Sequence, residues 1–71
     1  MKKIAVIAPD MRQFKDFLRE LSSEDREKFV YVSGARDVMG MEFSDYLKVG
    51  ECYKINDLYE LEELTKSRIR P

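Results

Sequence analysis

The chain has 71 residues, of which 44% are hydrophobic and 38% charged, and its 13 basic and 14 acidic residues leave a net charge of -1. Such a composition makes one globular domain over residues 1–71 and excludes general disorder, at a size where a single core supplies only about 3–5 kcal/mol of net stability. The near-neutral balance excludes an overall field drawing the protein to nucleic acid or an anionic membrane; no histidine and one cysteine, Cys52, exclude a structural zinc and an internal disulfide.

The opening run, Met1-Lys2-Lys3-Ile4-Ala5-Val6-Ile7-Ala8-Pro9-Asp10, is apolar between lysines and Pro-Asp, with no period-two alternation. That pattern predicts a strand covered on both faces, whose natural host is a small parallel α/β sheet. Its apolar part, Ile4 to Ala8, is too short for a signal-peptide core or a membrane span, so the expected location is the cytoplasm, with no membrane partner.

Met11, Phe14, Phe17, Leu18 and Leu21 then recur at helical spacing, with Asp10 placed to accept from the free amides of the first turn. Arg12, Lys15, Asp16, Arg19 and Glu20 fall on the solvated side. The polar stretch Ser22 to Lys28 ends the helix, with room for one further turn capped by Ser22 or Ser23. Phe29-Val30-Tyr31-Val32-Ser33, aromatic and β-branched and stopped by Gly34, predicts the second strand. Two strands joined through a helix run parallel, so Ala8-Asp10 and Ser33-Arg36 share one edge of the sheet.

Ala35 to Glu42 reads as a loop with a short turn at Arg36 to Met39. A third strand is expected around Asp45 to Val49, stopped by Gly50, followed by a short extended piece at Cys52-Tyr53-Lys54-Ile55; a hairpin between the two is the competing arrangement. A last helix, capped by Asn56 or Asp57, turns Leu58, Leu61, Leu64 and Ile69 inward and pairs Glu62 with Lys66 outside. Lys66, Arg68 and Arg70 suit its C-terminal end by the dipole argument, and would reach nucleic acid only if the fold gathered Lys2, Lys3 and Lys54 beside them. The expected architecture is α/β: a three-stranded, mainly parallel sheet in order 2-1-3 with two principal helices, a Rossmann-like or P-loop-like half domain.

In such folds ligands bind where loops leave the carboxyl ends of the strands. The first of these loops, Ala8 to Gln13, lacks the glycines that let a phosphate approach, and Asp10 competes for the amides such an anion needs. Arg12, Ser33, Gly34 and Arg36 are the anion-site candidates. A magnesium site would need Asp10 to meet Asp37 or Glu51 across the edge. No Ser lies in a nucleophile elbow, histidine-based triads are impossible, and Cys52 beside Tyr53 reads as a small core residue, so no catalytic residue and no cofactor are assigned. Arg36, Met39, Met41 and Phe43, in a connection unusually rich in apolar side chains, are the interface candidates; Tyr59 is a further exposed anchor.

From Phe29 to Ile69 the order strand, loop, Gly40-Met41-Glu42-Phe43-Ser44-Asp45, helix and basic tail resembles the distal part of P-loop and helicase-type ATPase cores, and the whole resembles the small α/β proteins encoded by phages. There is no Gly-x-x-x-x-Gly-Lys-Ser/Thr and no strand-terminal acidic pair, so the resemblance implies a degenerate core that kept the scaffold and lost the ATP machinery. The expected function is a non-enzymatic protein-interaction or regulatory module of phage origin that binds a host or phage protein, or a second copy of itself through the edge a three-stranded sheet leaves open. The alternative is a nucleotide- or nucleic-acid-binding domain with a phosphate site at the carboxyl edge of the sheet.

Overall fold

The computed structural model describes residues 3–70, so the expectations for Lys2 and Pro71 lie outside the described residues. The chain runs β1 (Lys3–Ile7), α1 (Met11–Arg19), α2 (Ser23–Arg26), β2 (Phe29–Val32), β3 (Phe43–Lys48) and α3 (Leu58–Ser67), with 3₁₀ turns at Ala35–Asp37 and Cys52–Lys54. The sheet order is β2-β1-β3 and both pairings are parallel, as the expected α/β class requires.

Period-two alternation along β1 sorts the core into two halves. Val6 and Ala8 pack with Phe14 of α1, joined by Phe17, Phe29 and Tyr31. The register sets Ile4 beside Phe29 and Val6 beside Tyr31, which brings those aromatics under α1. There Phe14 meets Tyr31 at 5.3 Å between centroids and Phe17 meets Phe29 edge-on at 5.2 Å. On the opposite face Ala5 and Ile7 pack with Val32, Val38, Phe43 and Leu61 of α3. The sheet is therefore a middle layer between α1 and α3.

Two boundaries differ from the sequence expectation. α1 stops at Arg19, where the Arg26 guanidinium reaches back to donate to Leu18 O at 2.9 Å and Arg19 O at 3.3 Å of the helix and to Leu21 O at 3.1 Å just beyond it. α2 is the further turn foreseen, with the Ser22 hydroxyl accepting from Asp25 N. β3 begins at Phe43, with a register shift between Phe43, opposite Lys3, and Asp45, opposite Ile4. The extra residue, Ser44, lets both Phe43 and Tyr46 turn towards the α3 side.

The segment 52–55 is not extended. Gly50 at φ +60 reverses the chain, and hydrogen bonds from Lys54 N to Glu51 O and from Ile55 N to Cys52 O, both 2.9 Å, close a 3₁₀ turn. No hairpin forms, since β3 spends its pairing on β1, and Cys52 lies half-buried in that turn against the α3-side core. Asp57 does hold the N-cap position of α3, but at φ 61 its carboxylate makes no capping bond and only its carbonyl is used, by Leu61 N at 2.9 Å. After α3 the chain returns to the sheet: Phe43 N donates to Arg68 O and Arg70 N to Phe43 O, each at 2.9 Å, forming a parallel bridge between Phe43 and Ile69.

Phe43 is therefore corrected as an interface candidate. It is fully buried, as is Val38, so the apolar loop supplies the core instead of a surface; Met41 packs half-buried against the same cluster, and only Met39, 66% exposed, stays free. Truncating a buried phenylalanine costs about 3–5 kcal/mol, which equals the whole expected stability of a domain this small. Phe43→Ala is predicted to be unfolded in circular dichroism at 25 °C, while Met39→Ala, changing an exposed side chain, keeps its urea midpoint close to that of the unaltered protein.

Candidate functional site

The candidate surface is the edge where β1, β2 and β3 end. At the first corner Asp10 caps α1, its Oδ1 accepting from Gln13 N at 2.8 Å. Gln13 stands three residues after the cap and folds its side chain across the edge: its Oε1 accepts from Glu51 N at 2.6 Å, and its Nε2 lies 3.4 Å from both Asp10 Oδ2 and Glu51 Oε1. An amide thus spans the two carboxylates weighed as magnesium ligands. Gly50 suits this position by its left-handed φ, and a Cβ there would displace the Gln13 Oε1 from its place.

Glu51 also receives the Lys54 ammonium at 2.8 Å and the Tyr53 hydroxyl at 3.2 Å on Oε2. The Lys54 hydrogen bond, then that of Tyr53, holds the Glu51 carboxyl below its usual value, and the same carboxylate raises the Tyr53 hydroxyl. Arg12 is exposed on α1 and adds a smaller attraction for Glu51.

The second corner follows β2. Asp37 turns its Oδ2 back to accept from Ser33 N at 2.8 Å and Gly34 N at 3.1 Å, with Ser33 Oγ at 3.4 Å. The two amides that an anion would need are thereby held by a carboxylate of the chain itself, through its Oδ2. Arg36 points outward from the 3₁₀ turn, exposed. Asp10 and Asp37 each serve their own turn, and among the described residues no three His, Cys, Asp or Glu side chains converge as a metal set.

Between β2 and the start of α3 lies a cleft of about 250 Å³, floored by Leu61 and Leu64 and rimmed by Ser33, Asn56, Asp57 and Glu60. The large side chains left most open at this end of the molecule are Met11, the first residue of α1, at 44%; Tyr53, in the turn after β3, at 71%; and Tyr59, in the first turn of α3, at 76%. Sequence reasoning named Tyr59 but missed Met11 and Tyr53, as well as Gln13 and the binding role of Glu51. The Asp10-x-x-Gln13 spacing, a capping-box pattern, was the signal available for Gln13.

A separate polar cluster ties β3 to α3. Glu62, its side chain only 19% exposed, accepts from Tyr46 Oη at 3.0 Å and Lys48 Nζ at 3.2 Å, and its expected partner Lys66 stands at 3.7 Å. The Lys48 hydrogen bond, followed by that of Tyr46, lowers the Glu62 carboxyl. Basic residues of the tail are thus partly spent on acids of α3: Lys66 also faces Glu63 at 3.7 Å.

These features define a small α/β domain with a parallel β2-β1-β3 sheet and a self-bonded carboxyl edge. Compared with protein-family models, curated proteins and solved structures, the chain matches none. No helix among the described residues is long and apolar enough to cross a membrane.

Glu51 and Glu62 have folded-state values below the 4.5 of the free carboxyl. A depressed carboxyl stabilises the fold above its unfolded value and loses that contribution as the pH falls through the folded one. Urea midpoints are therefore predicted to decline below pH 4.5, and Glu62→Gln to make that decline shallower while lowering the midpoint near neutrality.

Proposed function

We propose that this domain is a non-enzymatic protein-interaction module, of the phage-encoded kind its sequence resembles, and that it engages a host or phage protein through the carboxyl edge of its sheet. The observation that carries this reading is the exposure of Met11, Tyr53 and Tyr59 on three separate segments that leave or face that edge. Methionine and tyrosine supply large contact area at modest ordering cost, and an amphipathic tyrosine serves at an interface where one end stays wet. The surroundings suit a protein surface better than a phosphate: Arg12, Lys54, Asp57 and Glu60 mix both signs, and Asp10 and Asp37 hold the local amides.

The runner-up, a nucleotide or nucleic-acid site at Arg12, Ser33, Gly34 and Arg36, requires Asp37 to surrender two amide bonds to an incoming anion. Salt separates the two readings, because phosphate-led binding weakens steeply with ionic strength and an apolar interface hardly responds. Immobilised protein is predicted to retain its protein partner through a high-salt wash, and the combined Met11→Ser, Tyr53→Ser and Tyr59→Ser variant to lose it while keeping its circular dichroism. Retention by that variant, or elution of nucleic acid or nucleotide by salt, contradicts the proposal.

A further inference from the structure

The two outer edges of the sheet are not equivalent. On β3, the outward groups of Phe43 are taken by Arg68 O and Arg70 N, and the Tyr46 amide is taken by the Asp45 carboxylate at 2.8 Å. That edge is covered by the chain itself at Phe43, through a return segment, and its Tyr46 amide is met by a side-chain acceptor. On β2 nothing comparable exists among the described residues. Ile4 N donates to Lys28 O at 2.8 Å and Ala8 N to Val32 O at 3.1 Å, so Lys28, Val30 and Val32 direct their backbone groups at β1. By period two the N–H and C=O of Phe29 and Tyr31 face away from the sheet, while the next outward amide, Ser33 N, is already bound by Asp37.

We infer that β2 pairs antiparallel with β2 of a second copy of this chain, about a two-fold axis at Val30. The argument is one of self-complementarity. With Val30 opposite its own equivalent, Phe29 of one copy lies opposite Tyr31 of the other, twice, and each such pair exchanges two hydrogen bonds, so the outward groups of both residues are matched. Phe29 and Tyr31 share the α1 face, so the matched residues are aromatic pairs beside the Phe14 and Phe17 stack; Val30 meets Val30 on the other face. The same register sets Lys28, whose ammonium pairs with Asp25 of its own chain at 3.4 Å, opposite Val32 of the second copy. A net charge of -1 per chain opposes this approach little. The product is a six-stranded sheet whose two outer edges are both β3, each partly covered by its own chain. This pairing does not rest on the proposed protein partner, because it uses the opposite part of the surface from Tyr53.

The test blocks one outward donor and nothing else. A synthetic chain carrying N-methyl-Tyr31 keeps every side chain and the β1 ladder, and removes two of the four bonds across the axis. Sedimentation equilibrium over a rising concentration series is expected to give the unmodified protein a mass climbing towards twice 8.4 kDa, and the N-methylated protein the mass of the single 8.4 kDa chain throughout. Amide exchange of the unmodified protein provides a second reading: protection of Phe29 and Tyr31 should increase with concentration, while that of Tyr46 stays constant. A protein that remains 8.4 kDa across the series, a dimer indifferent to N-methylation, or exchange at Tyr31 independent of concentration overturns the inference.

Discussion

The burial of β1 on both faces is the constraint from which the rest of the molecule follows. Ala5, Val6, Ile7 and Ala8 have no exposed surface at all. A strand with no solvated face needs a helix above and below, and a parallel sheet supplies them through its crossovers. Alternation along four residues then assigns every other apolar side chain: Val6 and Ala8 select the α1 aromatics, while Ala5 and Ile7 select Val32, Phe43 and Leu61. Because both pairings are parallel, the loops leaving β1, β2 and β3 are gathered at one edge, which is the reason that edge is the place to look for function.

At that edge the chain binds itself. Asp10 closes the first turn of α1, Asp37 closes the turn after β2, and Gln13 ties the start of α1 to the turn after β3 through Glu51. The amides at the start of α1 and after β2, which an anion would otherwise need, are held by carboxylates of the chain. The edge is pre-organised and polar groups there are largely satisfied, so what remains for recognition is the large side chains that project from it, Met11, Tyr53 and Tyr59.

How much could be read from the sequence depended on whether the signal was local. The continuous run Ile4 to Ala8 and the aromatic run Phe29 to Val32 declared two parallel strands, and the 2-1-3 order followed from their central and edge character. Asp10 was legible as a cap because capping is a matter of three residues. The loop 35–42 misled because apolar content does not say which way a side chain turns: Val38, and Phe43 just beyond the loop, are fully buried in the α3-side core. The turn at Cys52–Lys54 was hidden by β-favouring side chains that a left-handed Gly50 redirects. Contacts such as Gln13 with Glu51, 38 residues apart, have no local signature beyond the spacing from Asp10.

The central claim is that the amides at the carboxyl edge belong to the chain's own carboxylates. The most direct measurement is a titration of the protein with inorganic pyrophosphate and then with magnesium and ATP, following the backbone amide resonances of Gln13, Ser33 and Gly34. The account predicts that all three stay unmoved to the end of both titrations, with Asp10 and Asp37 keeping their bonds. Saturable shifts confined to Ser33 and Gly34 would show an anion displacing Asp37, and would contradict it.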